Sequence, residues 1–279
     1  MHNILSVDVE DWFHILELNS PPPFEHWNQL ESRIEKNLNF LLDAFDKYGI
    51  RVTCFFLGWV GERYPHLVKL ALARGHEIAS HGYAHQLIYT QTRSQFREDV
   101  KKSKDLLEQI TGKAVLGYRA PGFSIIKETP WALEELAACG YRYDSSIFPT
   151  SRGHGGLVDA PLDPHVIQTT QGAILEFPIS VANFLGKRVC FFGGGYLRFF
   201  PYFLIRRMSE AVNRQGRPIV YYIHPREIDV DHPRLPMGRF RKFKCYVNLS
   251  TTEKKLKGIL KNQRVVSFEK WISQNSSWA

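Results

Sequence analysis

Along the chain, short runs of alternating or continuous apolar residues give way repeatedly to stretches with apolar positions at helical spacing, and the order reads strand, helix, strand, helix, strand. Residues 4–10 predict a first strand. Leu30, Ile34, Leu38, Leu41, Leu42 and Phe45 then fall on one helical face that Gly49 ends. Residues 51–57 predict a second strand, 63–73 a helix ending at Gly75, and 76–80 a short strand running into His81. The cycle repeats with Phe96, Val100, Leu106, Leu107 and Ile110 on a third helix, a strand at 115–119, a helix at 130–138 and a strand at 141–145. Further strands are expected at 219–224 and 265–267, with helices near 202–214 and 251–260.

Strands alternating with helices imply a parallel sheet, and this many units favour barrel-like closure over an open sheet. The expected fold is α/β, a distorted (β/α) barrel of about seven strands built as one domain over residues 1–279. Residues 151–202 break the rhythm, contain Gly193-Gly194-Gly195, and are expected to elaborate the active face. No internal repeat is present.

Composition narrows the class. With 279 residues, 44% hydrophobic and 23% charged, the chain has globular composition, and no run approaches the length of a membrane span. Cys54, Cys139, Cys190 and Cys245 form no CxxC pair and read as free thiols rather than a zinc cluster. No leader-like segment precedes residue 4, so residence in the cytoplasm is expected. Residues 1–200 hold 20 Lys/Arg against 22 Asp/Glu, whereas residues 201–279 hold 16 against 6. The basic excess therefore sits in the C-terminal part, with 240–279 reading as a basic extension. It suits solvated helix faces first, then an anionic glycan or membrane face. No nucleic-acid-binding motif accompanies it, and nucleic acid is not expected as a partner.

Polar residues recur where strands end, the edge at which parallel α/β folds assemble their sites. Strand one ends Asp8-Val9-Glu10-Asp11, the third reaches His81 with His85 behind it, and later ones end at Arg119, Asp144 and His224. Two imidazoles four residues apart can share one face of a helical turn and converge on an ion. Two histidines and one carboxylate leave a coordination position open, as a catalytic metal requires. Asp8 and Glu10 point the same way on an extended strand, with Asp11 opposite as a helix cap or alternative ligand. Spacing alone does not choose between Glu10 and Asp11.

Together, the segments Ser6–Asp11, His81-Gly82-Tyr83-Ala84-His85, Arg119-Ala120-Pro121, Asp144-Ser145-Ser146 and Tyr222-Ile223-His224-Pro225 resemble the five ordered motifs of polysaccharide deacetylases, carbohydrate esterase family four. Leu175–Pro178, Gly193–Arg198, His224–Asp229 and Tyr246–Leu249 resemble a subfamily associated with bacterial exopolysaccharide and exosortase gene clusters.

The resemblance implies metal-dependent hydrolysis of an N-acetyl group. In it Asp8 is the general base, His81 and His85 are metal ligands, Glu10 or Asp11 is the carboxylate ligand, Arg119 orients the base, Asp144 is the fourth-motif acid, and His224 is the general acid. The metal is a divalent ion, with zinc foremost and iron, cobalt or nickel also suited to such ligands. The partner implied is an acetylated amino-sugar polymer or its lipid-linked precursor, with peripheral association at the inner membrane face. Two departures stand out: Val9 separates the first-motif acids, and Gly122 followed by Phe123 replaces the usual tyrosine after Pro121.

An acetamide needs activated water, a charge at the oxyanion and an acid for the amine, and these residue types supply all three. No GxSxG elbow points to a serine route. Gly122, Phe123, Tyr196, Arg198 and Glu227 are candidate substrate contacts, with Phe199, Phe200 and Tyr202 able to stack on sugar rings. Glu227 and Asp229 are candidate helpers beside His224. A hydrolase of small amides and a non-catalytic basic polymer-binding module are the competing classes.

Overall fold

The computed structural model describes residues 1–16, 18, 21–151 and 155–275. Its strands are β1 (Asn3–Val9), β2 (Thr53–Phe56), β3 (Glu77–Ser80), β4 (Gly117–Tyr118), β5 (Tyr143–Asp144), β6 (His165–Thr169), β7 (Gly172–Glu176), β8 (Ala182–Phe184), β9 (Lys187–Val189), β10 (Val220–Ile223) and β11 (Val265–Val266). The helices are α1 (Ile34–Lys47), α2 (Gly58–Arg63), α3 (Pro65–Ala73), α4 (Arg93–Thr111), α5 (Trp131–Ala138), α6 (Gly194–Phe199), α7 (Tyr202–Arg214), α8 (Arg239–Tyr246), α9 (Thr252–Asn262) and α10 (Phe268–Gln274).

Seven strands run parallel in the order β10-β1-β2-β3-β4-β5-β7, with β6 antiparallel on the β7 edge and β11 parallel to the start of β1. This is the expected α/β fold of about seven strands, left open between β7 and β10. Irregular chain fills that gap: Ser180 Oγ accepts from Val220 N–H at 2.9 Å, and Tyr222 N–H donates to the Phe192 carbonyl at 3.2 Å. Gly193 lies so flat on Tyr222 that an added Cβ would sit 2.2 Å from the ring, so only glycine allows this approach.

The helices form where capping and periodicity agree. Thr92 caps α4 with a reciprocal Gln95 contact, and Gly112, at φ 65°, closes the same helix. Its inward stripe, Phe96, Val100 and Leu107, is buried against the sheet. The helix expected at 63–73 is α3, which begins at Pro65 because proline disfavours helical geometry at Tyr64 (φ −130°, ψ 59°), and the short α2, not expected from the sequence, ends just before that break.

Residues 151–202 need a larger revision. Besides chain over the active face they contribute β7 to the parallel sheet and the β8–β9 hairpin, although 152–154 lie outside the described residues. Strands β7 and β10 both come from the C-terminal half, so one sheet runs through both halves of the chain. Among the described residues no helix is long and apolar enough to cross a membrane.

Candidate active site

The carboxyl ends of the parallel strands deliver polar groups into one cleft of about 620 Å³. Asp8 comes from β1, and a turn in which Glu10 N–H donates to the Asp8 carbonyl at 3.0 Å brings Glu10 to the same side. His81 follows β3, Arg119 follows β4 and His224 follows β10.

Glu10, His81 and His85 offer ligand atoms that all lie within 4.8 Å of one another. His81 Nδ1 sits 2.7 Å from the Arg119 carbonyl, which fixes it as the donor and leaves Nε2 for the cleft. His85 Nε2 is buried and lies 3.2 Å from Glu10 Oε2 without a hydrogen bond. Burial lowers both imidazoles, His85 to about 4 against the pull of Glu10, so both are neutral as ligands must be. Burial opposes the charge of Glu10, but His85, His224 and Arg226 outweigh it and hold the carboxyl well below its ordinary range. An orphaned buried imidazole nitrogen beside an anionic carboxylate is a donor set that fits a divalent cation.

The two histidines do not share a helical turn. Residues 81–85 are an irregular loop with left-handed Gly82 (φ 74°) and His85 (φ 52°), pinned by Asp99, which accepts from Tyr83 N–H at 2.8 Å and Ala84 N–H at 3.1 Å. The rings still converge, with centroids 5.3 Å apart, and His14, packed on Trp27, backs His85.

Asp11 stands outside this cluster. Its carboxylate accepts from Trp12 N–H at 2.8 Å, Ser32 Oγ at 2.6 Å and Arg33 N–H at 3.0 Å, which is the cap alternative.

Asp8 is 1% exposed and ion-paired with Arg119, Nη1 to Oδ1 at 2.6 Å. Arg119 is fully buried, donating also to Ser6 Oγ at 2.7 Å and to Ser145. On the other side His224 Nε2 lies 3.0 Å from Glu10 Oε1 and 3.8 Å from Asp8 Oδ2, and Nδ1 lies 3.1 Å from Glu227 Oε2. Burial works against the imidazolium, yet Glu10 and Glu227 outweigh it and raise His224 to about 9.

Four of the expected residues are placed differently by this geometry. Asp144 does not line the cleft: it is fully buried, accepts from Ser146 Oγ at 2.6 Å, and packs against Glu176. Burial pushes both of these carboxyls up, and the charge of Asp144 pushes Glu176 further. Arg198 is 1% exposed and is a strut rather than a substrate clamp: it pairs with Glu227 at 2.8 Å and donates to the carbonyls of Lys244 and Cys245, at 3.0 and 2.5 Å. Glu227, fully buried between Arg198 and His224, positions the imidazole instead of meeting substrate. Asp229 likewise pairs away, with Arg33 at 3.5 Å.

Gly122 and Phe123 do line the cleft, in consecutive left-handed conformations (φ 63° and 54°), and Phe123 packs edge-on against Tyr222. Tyr196, Phe199 and Phe200 line it as well, whereas Tyr202 packs beside Gly258 instead. Sequence reasoning missed the wall contributed by α8, where Phe240, Arg241, Phe243 and Lys244 face the cleft, and it missed Arg226. Phenylalanines three apart among four basic residues in 239–246 were the available signal.

A parallel α/β scaffold with a histidine-carboxylate cluster at its strand ends, flanked by a paired acid and an imidazolium, defines a hydrolase-type site. Residues 30–143 match the family model described as Polysaccharide deacetylase, and residues 145–273 match Domain of unknown function DUF3473. Residues 30–143 thus carry a polysaccharide deacetylase domain, followed by the domain of unknown function over residues 145–273. A peptidoglycan deacetylase of Helicobacter pylori is 35% identical over 107 residues, 38% of this chain and 36% of that protein. A peptidoglycan-N-acetylglucosamine deacetylase of Bacillus cereus is 28% identical over 96 residues, 34% of this chain and 35% of that one. The match thus spans about a third of the length of these relatives. In structure, the chain is similar to a Mycobacterium smegmatis protein assigned as a polysaccharide deacetylase (TM-score 0.63, 20% identity, 98% and 88% of the two chains). It is also similar in fold to an allantoinase (TM-score 0.55, 17% identity, 82% and 68%).

Proposed function

We propose that the protein is a metal-dependent deacetylase that removes N-acetyl groups from amino sugars of an exopolysaccharide or its lipid-linked precursor. The observation carrying this reading is the placement of Glu10, His81 and His85 between the Asp8–Arg119 pair and His224, inside one cleft. The family and the relatives that act on peptidoglycan support the same chemistry.

Glu10, His81 and His85 hold the ion, with zinc foremost for this donor set. When bound it supplies a Lewis acid for the acetyl carbonyl and for water. Asp8, held by Arg119, takes the proton from the attacking water. His224, kept as the imidazolium by Glu10 and Glu227, gives its proton to the amide nitrogen as the C–N bond breaks. The products are acetate and a free amine. Each of these proton transfers contributes roughly 10²- to 10⁴-fold.

The test is acetate release from N-acetylated amino-sugar oligomers together with quantified bound metal. Release by the wild type, lost on chelation, supports the reading. A chain that binds metal but cleaves only small amides moves the assignment to that class.

A further inference from the structure

The four most exposed phenylalanines among the described residues, Phe199, Phe203, Phe240 and Phe243, at 49%, 72%, 72% and 50%, all come from two segments at the cleft mouth. Phe199 and Phe243 touch, with ring centroids 5.9 Å apart, and Phe240 lies one turn before Phe243 on α8. Three of the four line the cleft. Rings left this exposed forgo the free energy of burial, so a cluster of them at one edge indicates an apolar phase that they enter.

Charge specifies that phase. Arg239, Lys242 and Lys244 on α8 are exposed, as are Arg206 and Arg207 on α7. Residues 194–207 and 239–246 contain neither Asp nor Glu. Lys244 Nζ sits 4.6 Å from the centre of the Phe240 ring, with the cation on the same side as the apolar surface. Phenylalanine has no hydrogen-bonding group for sugar hydroxyls, whereas rings beside lysine and arginine match the boundary between acyl chains and anionic headgroups.

We propose that α8 and the adjoining start of α7 dock on an anionic phospholipid bilayer, with Phe203, Phe240 and Phe243 inserted and the cleft opening along the membrane surface. This docking is independent of the hydrolytic chemistry proposed above, because it requires neither a metal nor substrate.

The experiment is co-sedimentation of the full chain with phosphatidylcholine vesicles and with vesicles containing about one-third phosphatidylglycerol, at low and high salt. The wild type is expected to partition at least about tenfold more strongly onto the anionic vesicles, and to be released by salt. Phe203→Ser/Phe240→Ser and Arg239→Gln/Lys242→Gln are each expected to lose about tenfold or more, with unchanged far-ultraviolet dichroism and melting. The proposal is overturned if the wild type shows no preference for anionic vesicles. It is equally overturned if the phenylalanine variant binds as the wild type does, because a polyanion-binding surface without insertion then accounts for the charge.

Discussion

Arg119 Nη1 lies 2.6 Å from Asp8 Oδ1 where neither residue is more than 1% exposed. A buried pair of this kind is costly to break on one side, because the remaining charge keeps its burial and loses its partner. Arg119→Ala is expected to destabilise the protein by about 3–5 kcal/mol. Asp8→Asn also leaves the Arg119 charge without its counterpart, but it keeps the shape and a hydrogen-bond acceptor, so it is expected to lose less stability than Arg119→Ala and to bind metal while acetate release falls by about 10²-fold or more. Denaturant melts and turnover on the same preparations check both; an Asp8→Asn protein with wild-type turnover removes Asp8 from the mechanism.

Metal content separates Glu10 from Asp11. Glu10→Gln, His81→Ala and His85→Ala are each expected to lose most bound metal, read by elemental analysis of the purified protein. Asp11→Ala is expected to keep its metal and lose about 1 kcal/mol or more of stability, since its oxygens cap the 12–14 turn and receive Ser32 and Arg33. Metal loss in Asp11→Ala at an intact fold would reverse the assignment.

Glu227 sets the alkaline side of the rate profile. His224 is raised to about 9, so its imidazolium is fully present at neutral pH and is lost as pH rises through that value. Removing the Glu227 charge in Glu227→Gln lowers the His224 value, and the alkaline limb of kcat/KM is expected to move toward neutrality by about one pH unit. An unmoved limb with reduced kcat shows that Glu227 acts through packing alone.

Acid stability follows from histidines kept neutral. His76 is 2% exposed, accepts from Val52 N–H at 3.2 Å, and burial with Arg51 nearby lowers it to about 4. A folded value below the ordinary 6.5 means that the unfolded chain takes up the proton first, so stability is full above 6.5 and declines toward 4. The contribution is on the order of 2 kcal/mol. His76→Gln keeps an acceptor without titrating, and its melts between about pH 7 and pH 4.5 are expected to show a shallower acid decline than the wild type. Equal slopes would count against His76 as a source of acid sensitivity.

What could be read in the sequence was whatever depends on local period. Strands 51–57 and 219–224 contain β2 and β10, 4–10 covers β1 but for Asn3, and the polar residues that follow β1 and β10 reach one cleft because parallel strands share a carboxyl edge. What depends on distant partners was not legible. The Asp11 carboxylate is drawn away from the cleft cluster by Ser32 and Arg33, about twenty residues further on. Arg198 and Glu227 look like solvent-facing charges until each is seen to bury the other. Strand β7 was hidden because its apolar run, Ala173-Ile174-Leu175, is too short to show a period, and its place is secured by β5 pairing rather than by its own pattern.

The position of β1 has a consequence for how the molecule comes into being on the ribosome. Asp8 on β1 and Glu10 just after it emerge more than two hundred residues ahead of β10, the strand that flanks β1, and β11 pairs with the start of β1 later still. His224 arrives with the same later strand. The nascent chain therefore holds these acids over more than two hundred residues of synthesis without the neighbour that completes their environment, and the cleft assembles only after the long-range pairing that slows such folds.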